Sequence, residues 1–397
     1  MRSAFLLITL LISIESLAQF ETGFNKKEAR DMIAICNSFS FIEEYKSDTE
    51  IIPAGYKKIY SSIDFGMNNK YQIFQNGNVA VFSIRGSVEK KLSWLENFYS
   101  AMIPAKGKIT ISKRTYNYCF AKDTNAAVHS GYALGMVIIS RAIILHMDSL
   151  NKKGIYNFII TGHSQGGALA QMLRACLENY PANKLSKKNK YKTYAFACPM
   201  VGNKEFVAEY NARYCTNNTS YSVINPKDMV PSFPITYKDG SYVSAKDLQT
   251  ILFSKDSFSF STFALNFAVN LFEKNIVKTA DLFGASLSKE ISKDVGDVVM
   301  PKSVQEINYA KTGNIIEIKP AEYPKILKDS TILKNDSLMK IYKRDKDGNF
   351  LKQDLYEKES MLYQHKAYNY YTSILKMYFP KEYKGLKRKY INMPPEK

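Results

Sequence analysis

The sequence predicts an α/β protein built on a mostly parallel sheet. Two observations carry that prediction. Between residues 79 and 224, short apolar runs at 79–84, 158–161, 193–197 and 221–224 alternate with helical patterns. Each run also ends in a polar or glycine-rich loop, as strands buried on both faces and feeding crossover helices do. The composition agrees: 397 residues, 45% hydrophobic and 23% charged, exclude a disordered chain and supply enough apolar surface for one large core. No block recurs at a fixed period, which argues against a repeat array.

Taken in order, the chain opens with Arg2, an apolar run over residues 4–14 broken only by Thr9 and Ser13, and then Ser16-Leu17-Ala18. This is the layout of a signal peptide, with cleavage expected after Ala18 and a secreted or periplasmic destination. The run is too short to cross a hydrocarbon core ~30 Å thick, and no later stretch reaches the roughly 18 consecutive apolar residues of a membrane span, so no transmembrane segment is expected after cleavage. Helical spacing follows over 27–45, short strands at 59–63 and 71–74, and the Asn76-Gly77-Asn78 turn before the 79–84 strand. A helix is expected at 93–102. A longer one at 126–150 places Val128, Tyr132, Met136, Ile139, Ile143 and Met147 on one face and closes at Gly154. The run 158–161 leads through Gly162-His163-Ser164-Gln165-Gly166-Gly167 into a helix at 168–178, stopped by Pro181. Beyond Gly240 the texture changes to long helical patterns over 248–300 and hairpin-like runs over 301–358, with turns at Lys311-Thr312-Gly313-Asn314 and Lys346-Asp347-Gly348-Asn349. The second turn has a calcium-loop flavour, but its glycine offset and missing distal Glu do not fit an EF-hand. A last helix is expected at 357–378. The division that follows is a signal peptide at 1–18, an α/β core at 19–240, an insertion at 241–356, and a closing segment at 357–397 that completes the core and carries a basic tail.

The chain holds 55 Lys and Arg against 37 Asp and Glu, a net charge of +18 that removal of Arg2 and Glu15 leaves unchanged. Such a field could attract nucleic acid, an anionic membrane or acidic small molecules, but the cations are scattered without a nucleic-acid motif, so an ordinary basic surface is expected, with no nucleic-acid partner and peripheral contact with anionic lipid as the open alternative. Five cysteines, Cys36, Cys119, Cys176, Cys198 and Cys215, form an odd set without CxxC spacing. At least one thiol is therefore free or intermolecular, and Cys176 and Cys198 fall where small buried hydrophobes belong.

Chemistry enters at Gly162-x-Ser164-x-Gly166. Between a strand and a helix, such a turn pushes the serine hydroxyl outward, and the helix N-terminus beneath it offers N–H groups to a developing oxyanion. A serine nucleophile needs a base, and the chain has four histidines: His129, His146, His163 and His365. His163 adjoins Ser164 and cannot readily turn back to its hydroxyl, His146 sits inside a helix, and His129 starts one as a structural residue. His365 remains, late in the chain. The orienting carboxylate is expected in a loop after a later strand, where Asp228 follows 221–224 directly; Asp239 and Asp247 are the alternatives. For the oxyanion, Ser87, in the loop after 79–84, pairs with the Gln165 backbone N–H.

These blocks together resemble the class 3 lipase family, the fungal lipase-like α/β-hydrolases. Ile84-Arg85-Gly86-Ser87 followed by Trp94-Leu95 resembles its FRG[ST]…W block, Val128-His129-Ser130-Gly131-Tyr132 its VHxGF block, and Gly162 to Ala170 its GHSLGGALA block, with Gln165 in place of the usual Leu. Residues 196–203 resemble FGxPxVGN, and 225–234 resemble NxxDxVPxLP, with Asp228 at the acid. His365-Lys366-Ala367-Tyr368 is similar to the HxxY element but lies 137 residues beyond Asp228, farther than a compact member needs. The resemblance implies an α/β-hydrolase fold; it does not cover residues 241–356, whose helical and hairpin-like patterns are then expected as an insertion before the base. It implies a serine ester hydrolase acting on acylglycerols or related esters through Ser164, Asp228 and His365, with Ser87 and Gln165 as the oxyanion hole and no cofactor or metal. A phospholipase A1 or feruloyl-type esterase could run on the same machinery. The alternative from another class is a catalytically silent lipid-binding envelope protein. Within the insertion, Phe260, Phe263, Phe267, Leu271, Phe283, Leu287 and Ile291 recur at helical spacing, either as a core-packed helical pair or as an aromatic cap over the Ser164 pocket.

Overall fold

The computed structural model describes residues 20–181, 183–234, 288–304, 308–360 and 362–390. The signal-peptide segment and nearly all of the aromatic pattern at 258–291 lie outside the described residues. Of that pattern, only the end is described: 288–295 is helical and Ile291 is fully buried against the main core.

Seven strands form the central sheet: β1 (Lys57–Ser61), β2 (Tyr71–Asn76), β3 (Val79–Ile84), β4 (Asn157–His163), β5 (Lys190–Phe196), β6 (Ser220–Ile224) and β7 (Asn314–Glu317), paired in that order. The first two pairings are antiparallel; every one from β3 to β7 is parallel. Residues on these strands alternate between two cores, as a sheet covered on both faces requires. Ala80, Phe82, Phe158 and Ile160 point to one side, where α2 (Lys91–Phe98), α3 (Ser130–Lys152) and α4 (Gln165–Glu178) pack. Val79, Val81, Ile159 and Phe196 point to the other, against Met32 and Ile33 of α1 (Lys26–Cys36) and Tyr370 and Ile374 of α5 (Ala367–Tyr378). By length and composition α3 could cross a membrane. Its Met136, Ile139, Ile143 and Met147 are instead fully buried in the core.

Several elements differ from the sequence expectation. The helix expected at 126–150 begins only at Ser130, because Ala127–His129 is a short strand paired with Met102–Pro104 and with Gly202. The same pairing takes Met102 out of the helix expected at 93–102. The pattern over 27–45 is broken at Asn37, whose buried amide donates to Ile33 O, giving two helices rather than one. A hairpin, Lys106–Ile111 with Arg114–Cys119, carries no glycine signal because Ser112 and Lys113 themselves adopt positive φ at its turn. The turn at 311–314 does not join a hairpin. Tyr309–Ala310 pairs antiparallel with Gly202–Asn203, and β7 then enters the main sheet parallel to β6, so the segment read as insertion supplies an edge strand. The helix expected from 357 starts at Ala367, leaving His365 in the turn just before it.

Residues 325–356 hold a small core of their own, Ile332, Phe350 and Tyr356, with an antiparallel bridge between Arg344 and Phe350. Asp345 is taken up by the turn itself, accepting from the Asp347 and Asn349 N–H groups and pairing with Lys325. All five cysteines are free; burial raises the Cys36 and Cys176 thiols to about 12.

Candidate active site

Ser164 sits between β4 and α4 with φ +60° and ψ −131°, a conformation that a non-glycine residue holds only under constraint. The constraint is crowding. A Cβ on Gly162 would fall 2.1 Å from Gly166 O, and one on Gly166 would fall 2.2 Å from Ile84 O, so only glycines let the turn close this tightly against β3. The backbone is tied from behind by Ser164 N–H donating to Phe196 O at 2.9 Å.

The structure brings Ser164, His365 and Asp228 into one hydrogen-bonded line. His365 Nε2 lies 2.8 Å from Ser164 Oγ, and Nδ1 lies 2.8 Å from Asp228 Oδ2. Asp228 follows β6 and is buried. Its Oδ2 also accepts from Tyr370 Oη at 2.8 Å, and its Oδ1 accepts from the Val230 N–H at 3.0 Å. Burial alone would raise this carboxyl, but the adjoining His365 and the His365, Tyr370 and Val230 donors outweigh it and hold Asp228 below the usual carboxylate range.

His365 reaches this position through its neighbours. Gln364 Oε1 accepts from Asn225 Nδ2 at 2.7 Å and from the Ala321 N–H at 3.0 Å, while its Nε2 donates to Ala321 O at 2.9 Å. Tyr363 Oη donates to Glu322 O, and Asn369 Nδ2 returns to Tyr363 O. The long segment between Asp228 and His365 therefore ends in a loop pinned at both sides.

Ser87 lies in the loop after β3, which passes directly over the elbow: a Cβ on Gly86 would come within 2.7 Å of His163 O and 3.5 Å of Ser164 Cβ. Ser87 Oγ accepts from Asn97 Nδ2 at 2.9 Å. Asn97 is a junction, since its Oδ1 accepts from Tyr132 Oη at 3.1 Å and its backbone O from His129 Nε2 at 3.1 Å. Gln165 is buried as the first residue of α4.

The other histidines are placed elsewhere. His129 is fully buried and caps α3, its Nδ1 accepting from the Tyr132 N–H; desolvation drops its pKa to about 3 and keeps it neutral. His146 lies against Tyr60, with ring centroids 4.1 Å apart and the rings tilted by 43°. His163 faces His365 at 4.8 Å and Tyr370 at 5.5 Å between ring centroids, with its pKa also lowered to about 3, first by burial and then by His365. Asp239 and Asp247 lie outside the described residues. Sequence reasoning missed Tyr370, Asn97 and the Asn225–Gln364 pair. The HxxY-like spacing pointed to Tyr368, whose hydroxyl instead donates to Arg388 O. Asn225 was visible as the first residue of the Asp228 motif; nothing in the sequence marked Tyr370 or Gln364.

A parallel sheet flanked by helices, with a serine on a glycine-walled turn and the order Ser164, Asp228, His365 along the chain, defines an α/β-hydrolase. Residues 81–238 match the family model for lipase (class 3). A lipase of Caenorhabditis elegans, ZK262.3, is 35% identical over 94 residues, 24% of this chain and 25% of that protein. The chain thus matches about a quarter of the length of that relative. Among solved structures, the Rhizomucor miehei lipase propeptide complex is 17% identical with a TM-score of 0.40, covering 54% of this chain and 66% of that one. The lipase of Rhizopus microsporus var. chinensis is 20% identical with a TM-score of 0.37, covering 54% and 71%.

Proposed function

We propose that the protein is a secreted serine ester hydrolase that cleaves acylglycerols or related carboxylic esters through an acyl-enzyme. The observation that carries the reading is the unbroken line from Ser164 Oγ through His365 to Asp228 Oδ2. In the proposed reaction His365 Nε2 takes the Ser164 proton as Oγ adds to the ester carbonyl, and Asp228, ionised at neutral pH, orients the ring and stabilises the imidazolium. The oxyanion that forms is received by the Gln165 N–H and by Ser87. Because Ser87 Oγ already accepts from Asn97, its own hydrogen is left to donate to the oxyanion. His365 then protonates the leaving alcohol, and water repeats the sequence to release the acid. Support for a lipid ester comes from the class 3 lipase match; secretion rests on the signal-peptide pattern at 1–18.

The test is labelling by a fluorophosphonate together with hydrolysis of a panel of acylglycerol, phospholipid and aryl esters. Ser164→Ala should lose labelling and on the order of 10⁴-fold in turnover while keeping its melting temperature. A Ser164→Ala protein of near-native activity would refute the reading. Preference within the panel separates an acylglycerol lipase from a phospholipase A1 or a feruloyl-type esterase.

A further inference from the structure

Beneath the Ser87 loop lies a buried carboxyl that the proposed reaction does not use. Glu96, on α2, is fully buried, and neither carboxyl oxygen closes a well-formed hydrogen bond. Two buried amide nitrogens stand in the same condition, Asn69 Nδ2 and Gln165 Nε2. These groups face one another: burial raises the Glu96 carboxyl well above its ordinary range, and the Asn69 and Gln165 amides oppose part of that rise. No charged side chain enters among those causes.

The surrounding backbone is shaped to admit this group. A Cβ on Gly135 of α3 would lie 2.1 Å from Glu96 Oε1 and 2.8 Å from Asn69 Nδ2, and one on Gly131, a turn earlier, would lie 1.9 Å from Glu96 O. Two glycines on one face of α3 thus receive Glu96, one its main chain and the other its carboxyl. Gln165 is gripped at its other end, its Oε1 accepting from Ser93 Oγ at 3.1 Å while Ser93 Oγ accepts from the Val88 N–H at 3.1 Å. Asn69 belongs to a loop tied to Arg85, whose guanidinium donates to Asn68 O at 2.6 Å and to Asp64 at 2.8 Å. The turn before β2, the Ser87 loop, α2, α3 and the first residue of α4 therefore converge on one carboxyl. Buried polar groups that are only partly satisfied are costly, and an apolar set would fill the same space without that cost. Gln165 moreover stands where the resembled motif carries Leu.

We propose that Glu96 is a positioning residue for the oxyanion hole: its carboxyl, gathered with the Asn69 and Gln165 amides, fixes the Gln165 side chain and so aims the Gln165 N–H, while Ser93 couples the same side chain to the Ser87 loop. The inference rests on the ester-hydrolase reading and deepens it, because Glu96 acts through Gln165 without touching substrate.

The experiment measures kcat and KM on a short soluble aryl ester, with melting temperatures, for wild type, Glu96→Ala, Glu96→Gln, Gln165→Leu and Glu96→Ala/Gln165→Leu. Glu96→Ala should lower kcat about tenfold or more with KM within about twofold, since the interaction lost is felt in the transition state. Glu96→Gln, a neutral isostere, should restore most of kcat. The double variant should lose little beyond Gln165→Leu alone, as two residues acting through one element are not additive. Unchanged kcat in a folded Glu96→Ala protein, or full additivity in the double variant, would overturn the proposal. If Glu96→Ala does not fold, Glu96→Gln against Gln165→Leu decides it: the proposal fails if Gln165→Leu has wild-type kcat. A wild type that neither hydrolyses esters nor labels overturns both readings; an active wild type with an unaffected Glu96→Ala overturns this one alone.

Discussion

Ser164 is placed by crowded backbone, whereas His365 is placed by side-chain hydrogen bonds between segments far apart in sequence. In the region 79–234 the turn after β4 has one geometry open to it. Gly162 and Gly166 press on Gly166 O and Ile84 O, and Ser164 N–H is tied to β5. In the region 308–365 the chain makes one strand of the main sheet, then a satellite with its own small core, and delivers His365 through the contacts of Gln364 with Asn225 and Ala321. Steric placement is intolerant, because the atoms have no alternative position. Placement by hydrogen bonds is graded, because each bond contributes separately and water can replace it in part.

The sharpest way to break this comparison is at Gly166. Gly166→Ala puts a Cβ 2.2 Å from Ile84 O, where neither backbone can yield without parting β3 from α4. We expect on the order of 10²-fold or greater loss of turnover, since a displacement of about 1 Å at the reacting atoms suffices for that. Turnover within threefold of wild type would show that the elbow is not the rigid member of the pair.

A smaller loss is expected on the other side. Gln364→Ala removes the bonds to Asn225 and Ala321 but no atom of the line itself. About a tenfold fall in kcat corresponds to roughly 1.4 kcal/mol, within the reach of one or two neutral hydrogen bonds. Total inactivity in a folded variant would mean that His365 is held as rigidly as Ser164. Tyr370→Phe is milder still, because Asp228 Oδ2 keeps His365 and Oδ1 keeps the Val230 N–H. A loss of about threefold is expected, with the Asp228 carboxyl drifting up toward its ordinary range. Carboxyl titration by NMR in both proteins checks the second part, and an unmoved Asp228 would contradict it.

The same division explains what could be read from the sequence. Steric placement leaves a local signature, because the glycines that permit the crowding lie within two positions of Ser164 even where the partner, Ile84 O, is distant, so Gly162, Ser164 and Gly166 announce the turn and the apolar runs announce the strands. Hydrogen-bond placement leaves none: Gln364 and Tyr370 are ordinary residues until β6 and α5 are packed together. His365 itself was reached because the chain offers so few histidines. The β7 strand was misjudged for a related reason. Asn314–Glu317 is a short strand directly after a Gly-Asn turn, as a hairpin arm would be, and only the parallel register with Tyr221 to Ile224 distinguishes it from one.

His129 tests whether the sterically built region also depends on a buried polar group. It is neutral in the folded protein with a pKa near 3, against an ordinary value of 6.5, because burial opposes its charge. The unfolded chain therefore binds a proton that the folded one does not between those two values, and stability falls as pH drops from about 6.5 toward 3. One such histidine contributes up to about 1.4 kcal/mol per pH unit to that slope. His129→Gln removes the titrating group and keeps an amide able to donate to Asn97 O, so its unfolding free energy should fall less steeply with acid than the wild type's between pH 6.5 and 4.5. Carboxylates titrate in both proteins and cancel in the difference. Denaturant unfolding at a series of pH values measures it. Parallel slopes would mean that His129 takes up its proton in the folded state, and that the support beneath Asn97 and Ser87 is looser than its burial implies.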